Sequence, residues 1–446
     1  MMSKSNRTFF ALIVWTIATV AQAQTMTLGE CIRMGIERNL QLQSQRIDIR
    51  KGETQISQSR ALLLPQVNGS LQVIDYLKNP LQVSSSTLLG MDFPDPQQWG
   101  KVRTMPYTSQ AMLQAQMPLY NQSIYEAIEA AKVVKRLNEL SYDKACETLK
   151  VQIAKTYFLA QACQEHELLL GEDVQRMIEL RDITEALLEQ GIIIETDFTR
   201  ININITNLET QQSQYHMVLN QQLNTLRFLL DLDAEDSIAV TRMDKGLIQV
   251  ASRGVSNALP DQLLLDTQQQ LIGRQVRLTR AGYLPSIGLF AQTGYLGYQE
   301  KFRHFFKHFD NRQFGMAAVG LQINIPIFDG NDRRHKIQQY RLDADKVAIN
   351  RELLDSSIEK DYRNASLQLS QNEQIYSTQC INRQQALDVY NVTFLRYREG
   401  VGSMADLLLD DMRIISTEQE VVNAQLQYCL ALVDILRLEN NLDALK

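Results

Sequence analysis

The chain has 446 residues, of which 44% are hydrophobic and 22% charged, and its formal net charge is −6. This apolar content is near the globular average and argues against disorder. The mild acidity excludes the basic surface of a typical nucleic-acid-binding protein. Beyond position 23 there is no apolar run of about 18 residues, so a helical membrane protein is excluded.

Residues 1–23 have the pattern of a secretory signal peptide. Lys4 and Arg7 give a positive start, a short apolar stretch follows, and an A-x-A cleavage site ends at Ala23. An N-terminal membrane anchor is the alternative, and it fits less well because the apolar stretch is short. We therefore expect export and a mature chain that begins near Gln24.

Four stretches alternate between apolar and polar residues, as strands with two different faces do. Their ranges are 66–76, 108–117, 286–297 and 314–325. Each is about 10–12 residues long, the length that a tilted strand needs to cross a bilayer. The polar face carries Gln, Asn and Ser rather than charge, which suits a water-filled lumen. A soluble β-ribbon with one face on a core fits the same alternation. The segment 77–107 reads as a loop.

The rest of the chain predicts very long helices. None of the nine prolines falls in 119–259 or 327–446, and proline is the strongest helix breaker. Apolar residues there step by four and three positions, as at Ile201, Ile205 and Leu208, which indicates coiled-coil packing. A helix of this kind is roughly 100 Å long at 1.5 Å per residue, too long for a single globular core.

The two halves of the chain repeat each other. Matching residues lie 220 positions apart at the first pair and 208 or 209 at the later pairs, as expected for a tandem duplication with a length difference in the middle. The matched pairs are Pro65 with Pro285, Pro118 with Pro326, Gly191 with Gly400, and Asp197 with Asp406. The first repeat is 24–245 and the second is 246–446, and each reads helix, strand, loop, strand, very long helix, turn, long helix.

Enzyme signatures are missing from the sequence. There is no phosphate loop, nucleophile elbow or dinucleotide fingerprint, and the five cysteines have neither disulfide-framework nor zinc spacing. His304 and His308 are four residues apart but lack the glutamate of the H-E-x-x-H pattern. We interpret them as loop residues. The alternative hypothesis of an exported hydrolase rests only on these two histidines. We expect no enzyme activity, metal or cofactor.

An acidic cluster follows the glycine turn 400–402. It consists of Asp406, Asp410 and Asp411, and a spacing of four places Asp406 and Asp410 on one helix face. Acids near a helix N-terminus stabilise the helix dipole. That explanation suffices for one acid but is less economical for three.

These features together resemble the TolC-like outer-membrane efflux protein family. The resemblance covers nearly the whole mature chain and depends on the duplicated pattern. It also rests on the Leu-Pro pairs at Pro65 and Pro285, the Pro-Ile-Phe-Asp-Gly segment 326–330, and the tip segments 191–197 and 397–400.

The resemblance implies a mainly α fold with a membrane β-barrel. Each subunit of a homotrimer would give four strands to one twelve-stranded barrel in the outer-membrane lipid, and the helices would form a periplasmic coiled-coil tunnel. The implied partners are a periplasmic adaptor protein and an inner-membrane transporter of RND or ABC type. The implied function is a passive exit duct for efflux or type I secretion, opened by iris-like movement of the helix tips.

The resemblance also implies roles for individual residues. Asp406 and Asp410 would form the periplasmic gate, and Thr196, Asp197 and Tyr397 would be the latch that holds the tips closed.

The tip turns would contain Gly191, Gly400 and Gly402. Two positions depart from the family pattern. Gly402 stands where the family has a basic latch residue, and Leu409 stands where the family has a second acid, a role that Asp410, one position later, would take over. A secreted structural coiled-coil protein without channel activity is the alternative to an exit duct. The cargo is not specified by the sequence.

Overall fold

The computed structural model describes residues 24–78, 81–84, 100–103, 105–189, 193–233, 235–244, 246–249, 254–299, 301 and 313–445. The chain divides into two compact units. The first contains the described parts of Met1–Arg46, Ser141–Gln262 and Leu353–Lys446, and the second those of Ile47–Leu140 and Leu263–Glu352. Both units take segments from both sequence repeats, whose boundaries stay a prediction. The predicted signal peptide lies outside the described residues.

Helices make up most of the described chain. They are α1 (Leu28–Arg38), α2 (Leu40–Ala61), α3 (Gln122–Glu189), α4 (Glu195–Leu230), α5 (Pro260–Ala281), α6 (Asp332–Arg398) and α7 (Met404–Leu438). The predicted long helices are confirmed, since α3 has 68 residues and α6 has 67. At 1.5 Å per residue each is roughly 100 Å long.

The first unit holds two large hydrophobic clusters in which seam residues of several helices meet, and a small third one at Leu259, Ile358 and Leu438. One large cluster joins α1, α3, α4 and α7 around Ile153, Leu226 and Val433, and the other joins α3, α4, α6 and α7 around Leu180, Ile201 and Leu407. Among the described helices, α7 alone is long and apolar enough to span a membrane, but 72% of its apolar window is buried inside the protein. Its apolar character is therefore that of a core helix.

The strands are short except for four. They are β1 (Gln24–Met26), β2 (Gln66–Asp75), β3 (Leu81–Ser84), β4 (Gly100–Arg103), β5 (Tyr107–Tyr120), β6 (Ile238–Val240), β7 (Ser286–Gln299) and β8 (Gln313–Asn324). The four predicted strands are confirmed as β2, β5, β7 and β8, within three residues at each end.

The four long strands form one antiparallel sheet in the second unit, in the order β2-β5-β7-β8. The sheet is open. Within the described residues, the edge strands β2 and β8 each pair with only one of the other long strands.

The apolar face of this sheet is not covered by a core. On β8, Val319 is 75% exposed and Leu321 is 64% exposed, and Leu71 on β2 is 77% exposed. A soluble ribbon with one face on a core would bury these side chains. That alternative from the sequence is therefore wrong for this chain.

Two small sheets were not predicted. β3 and β4 pair antiparallel inside 77–107, which the sequence indicated as a loop. β1 and β6 pair in parallel in the first unit. Both pairs involve strands of three or four residues, too short for alternation to be distinguished from chance.

Candidate functional site

The turn between α6 and α7 ends one long helix and starts the next. Gly400 has φ +74°, a left-handed conformation that glycine adopts without steric penalty. The amide of Val401 donates to the carbonyl of Arg396 and that of Gly400 to the carbonyl of Tyr397, both at 3.0 Å. This is the Schellman arrangement of helix C-termini. The hydroxyl of Ser403 then accepts from the amide of Ala405 and caps α7.

Gly402 lies against the end of α6. A Cβ atom added at this position would stand 2.7 Å from the backbone nitrogen of Tyr397 and 3.0 Å from the carbonyl carbon of Arg396. Any side chain would force the turn to open. The departure from the family pattern at Gly402 therefore has a local cause, because a basic residue does not fit this turn.

The turn between α3 and α4 contains the other predicted tip residues. Gly191 lies outside the described residues. Thr196 and Asp197 stand in the first turn of α4, where Thr196 is exposed and Asp197 is half-buried. The carboxylate of Asp197 binds Nη1 of Arg200 at 3.2 Å, one turn further along the same helix.

Tyr397 belongs to the hydrophobic cluster around Leu180, Ile201 and Leu407 and is only 6% exposed. Its hydroxyl has no hydrogen-bond partner within the described residues, and the neighbouring hydroxyl of Thr184 donates to the carbonyl of Leu180 instead. Burial raises the pKa of Tyr397, the neighbouring Thr184 hydroxyl lowers it, and the charge of Asp197 adds to the rise. The structure thus brings Tyr397 near Asp197 without a hydrogen bond between them in the single chain.

The two predicted gate acids have different surroundings. Asp406 is exposed in the first turn of α7. Asp410, one turn later, is half-buried, and its Oδ2 accepts a hydrogen bond from the hydroxyl of Thr393 on α6 at 2.7 Å. Asp410 therefore connects the two helices of the hairpin, whereas Asp406 is free to act on solvent or ions.

A buried charge cluster lies next to these acids and was not predicted as a site. Oδ1 of Asp411 accepts from Nε of Arg176 on α3 at 2.9 Å. Nη2 of the same guanidinium binds Asp173, and the guanidinium lies 5.8 Å from the ring centre of Tyr390 on α6. Asp411 is 0% and Asp173 2% exposed. Arg176 thus links α3 to α7 through Asp411, and it also pairs with Asp173 on its own helix.

Burial dominates the ionisation of this cluster. It raises the pKa of Asp173 to about 7, while Arg176 opposes the rise and Glu418 and Asp411 add to it. It also raises the pKa values of Asp411 and Glu418, again against the charge of Arg176. Asp173 and Asp411 share the Arg176 guanidinium, and Glu418 also feels the charge of Arg383, so we expect Asp173 to titrate near neutral pH.

The sequence did contain a signal for this cluster. Asp411 occupies a seam position of α7, four residues after Leu407 and three before Ile414, and Asp173 lies between Leu170 and Met177 on the α3 seam. A charge at a seam position is a charge that packing will bury, so it needs an ionic partner. Asp406 and Asp410 lie off that seam.

No group of three or more His, Cys, Asp or Glu side chains could hold a metal ion within the described part of the chain. His304 and His308 lie outside it. The five cysteines are free. Long paired helices that end in acidic turns, together with a sheet whose apolar face has no core, are the features expected of an outer-membrane channel subunit.

The comparison with protein families agrees with this class. The family model described as "Outer membrane efflux protein" matches residues 32–231 and 265–441, and the chain belongs to that family. The family places the protein in the outer membrane. Its members are channel proteins rather than enzymes.

Relatives in sequence are distant. The chain is 22% identical to the outer membrane protein TolC of Escherichia coli strain K12 over 357 residues, which cover 73% of this chain and 68% of TolC. It is 21% identical to the probable efflux pump outer membrane protein TtgC of Pseudomonas putida over 295 residues, 65% of this chain and 60% of TtgC. The match therefore spans less than two thirds of TtgC.

Solved structures share the fold. The Campylobacter jejuni outer membrane channel CmeC has a TM-score of 0.72 and 16% identity, covering 93% of this chain and 85% of CmeC. The open state of the Neisseria gonorrhoeae outer membrane channel MtrE has a TM-score of 0.71 and 21% identity, covering 93% of this chain and 89% of MtrE. The recognised family and the outer-membrane location are thus confirmed.

Proposed function

We propose that this protein is the exit duct of a tripartite efflux or type I secretion system. Three copies would form the duct, which would passively conduct cargo from an inner-membrane transporter and a periplasmic adaptor to the exterior. The single observation that carries the proposal is an open four-stranded sheet whose apolar face is uncovered.

The edges of the sheet support closure between copies. β2 and β8 are long edge strands, and an exposed edge of this length invites pairing with another chain. If β8 of one copy pairs with β2 of the next, three copies give a closed barrel of twelve strands. Only closed sheets and helices satisfy every backbone group inside lipid.

The faces of the sheet support a membrane position for that barrel. β7 has 14 residues and β8 has 12, and about 9–11 tilted residues are enough to cross the hydrocarbon layer. The row of exposed apolar residues that contains Val319 and Leu321 would face lipid. Gln322 and Asn324, on the other face, would line a wet lumen.

The tip turns support a gate. In a trimer, three copies of the exposed Asp406 would form a ring, with Asp410 held one turn deeper by Thr393. Such a ring would favour cations in a narrow entrance. Thr196, Asp197 and Tyr397 would act as the latch between tips, and opening would be a movement of helices that needs no chemistry.

The experiment is fractionation followed by conductance measurement. The full chain is expressed with its signal sequence, extracted from outer membranes in detergent, sized, and inserted into planar bilayers. We expect a trimer with discrete conductance steps and preference for cations. A periplasmic monomer without conductance would refute the duct and would favour the secreted coiled-coil alternative. Identification of a co-purifying adaptor and transporter would test the tripartite assembly.

A further inference from the structure

A cavity of about 720 Å³ lies in the second unit where the sheet meets two helices. It is formed between the end of α5 and the segment 326–341, which runs from the end of β8 into α6. Its lining combines arginine side chains with three successive apolar residues. These are Arg280, Arg333, Arg334 and Arg341, together with Pro326, Ile327 and Phe328.

The charge of this cavity is strongly positive. Four arginines line it, and Asp329 is the single carboxylate in the lining. Asp329 is already bound to Nη1 of Arg333 at 3.2 Å, and Arg333 also lies 5.3 Å above the ring centre of Tyr283. The other three arginines, Arg280, Arg334 and Arg341, are exposed and form no ion pair with any described residue. Three uncompensated guanidinium groups therefore face one cavity.

Large apolar side chains lie beside these arginines in solvent. Ile327 is 94% exposed and Phe328 is 81% exposed. Ile327 follows Ile323 and Ile325 at intervals of two, so it continues the exposed apolar row of β8 in sequence. A small water-soluble anion would use the arginines but would gain nothing from the apolar side chains. A ligand with an anionic head and an apolar tail would use both parts.

The first sequence repeat provides an internal comparison. The junction at Pro118 borders a cavity of about 370 Å³ that is lined by residues of both repeats, and none of these residues is charged. Arg60 matches Arg280 in the repeat, but it does not line that cavity. The helix that follows the first junction begins Gln122-Ser123, whereas α6 begins Asp332-Arg333-Arg334. The arginine pair that begins the long helix is therefore a feature of the second repeat and is not shared by the first strand-to-helix junction.

We propose that this cavity binds the phosphate headgroup of an anionic glycerophospholipid. The three unpaired arginines would hold the phosphate oxygens, and Ile327 and Phe328 would contact the start of the acyl chains. The proposal rests on the proposed function, because it needs the sheet to span the bilayer so that its helix ends face the headgroup layer. Arginine suits this role since its planar donors match phosphate in pairs.

The size of the effect follows from the number of arginines. Each basic residue near an anionic membrane surface contributes on the order of fivefold in affinity. Loss of Arg280, Arg334 and Arg341 together should therefore weaken binding on the order of a hundredfold. Binding to a zwitterionic lipid should be weak before and after the substitution.

The test measures lipid binding to the purified full-length protein by native mass spectrometry. Phosphatidylglycerol and phosphatidylcholine are titrated into detergent solutions of the wild type and of Arg280→Gln/Arg334→Gln/Arg341→Gln. The matched control is Arg50→Gln/Lys51→Gln/Arg60→Gln, which removes three exposed charges of the same unit outside the cavity. We expect a preference for phosphatidylglycerol that the first variant loses and the control keeps.

Several results would overturn the proposal. Equal binding of both lipids, equal loss in the control, or displacement of phosphatidylglycerol by inorganic phosphate would each contradict a lipid-headgroup site. Dissociation of the assembly without any change in lipid preference would assign the arginines to a contact between copies instead. If the triple variant does not assemble, Arg334→Gln alone should still lower affinity about fivefold.

Conductance measured on the same samples distinguishes failure of the lipid-site proposal from failure of the exit-duct proposal. A wild type that conducts but shows no lipid preference would refute the lipid site alone. A wild type that neither inserts nor conducts would refute the duct.

Discussion

Replacing Asp173 by Asn tests whether the buried cluster stores a proton. Asp173 and Arg176 lie on α3, Asp411 and Glu418 on α7, and Tyr390 and Arg383 approach from α6. At pH 6 a protonated Asp173 leaves Arg176 to neutralise Asp411. At pH 8 a second buried carboxylate is charged against the same cation. Asn keeps an oxygen that accepts from Arg176 but cannot titrate.

The size of the effect follows from the pKa of Asp173, which is raised from 3.8 to about 7. The pKa of Asp173 is higher in the folded than in the unfolded state. The stability that this group contributes is therefore fully present below the unfolded-state pKa and is lost as the pH rises through the folded-state pKa. Between pH 6 and pH 8 a group with a pKa of about 7 loses about 1.4 kcal/mol, or a factor of ten. The contact of α7 with α3 should therefore weaken as the pH rises.

The assay is hydrogen exchange of α7 amides at pH 6 and pH 8, corrected for intrinsic rates and read by mass spectrometry. In the wild type, protection near Asp411 should fall about tenfold from pH 6 to pH 8. In Asp173→Asn the part of this fall that comes from Asp173 should disappear. Only the part that comes from Asp411 and Glu418 should remain. The control Asp182→Asn changes an exposed carboxylate of the same helix and should behave as the wild type. An unchanged tenfold fall in Asp173→Asn would refute the reasoning.

Three further substitutions probe the tips and the sheet. Gly402→Ala places a Cβ 2.7 Å from a backbone nitrogen, so it should open the turn and raise the open probability in bilayer recordings; an unaltered closed state would contradict this. Leu321→Glu should reduce outer-membrane assembly because a charge on the lipid face costs about 2–4 kcal/mol or somewhat less for an acid, whereas Gln322→Glu should assemble normally. Asp406→Asn with Asp410→Asn should lower cation preference, most of it through the exposed Asp406; single-channel reversal potentials in a salt gradient measure this, and unchanged potentials would remove both acids from the gate.

The regular elements were predictable because each is long enough for its period to repeat. β8 alternates over twelve residues and α3 runs for 68 residues without proline. Strand alternation left open whether the apolar face meets a core or lipid. The exposure of residues such as Val319 shows that no core covers this face, and that exposure depends on the absence of a covering layer and not on the strand itself.

The details of the tip were less predictable because they depend on contacts between distant segments. The acids after Gly400 were all visible in the sequence, yet Asp411 is buried against Arg176, 235 residues away. The fit of Gly402 against Tyr397 is a backbone contact without a sequence pattern. Identifying which charged residues occupy seam positions would have predicted that Asp411 is buried and that Asp406 and Asp410 are not.

The three acids of α7 divide their roles by helix geometry. Asp411 is fully buried and paired with Arg176, so it links α7 to α3 and does not reach an ion. Asp410 accepts from Thr393, which holds its carboxylate against α6. Asp406 alone is exposed, one turn nearer the tip. A trimeric entrance would therefore carry an exposed ring of charge at Asp406, with a ring held by Thr393 behind it. Because both acids lie on α7, movement of α7 relative to α6 would shift the Asp406 ring and stretch the Asp410–Thr393 hydrogen bond together.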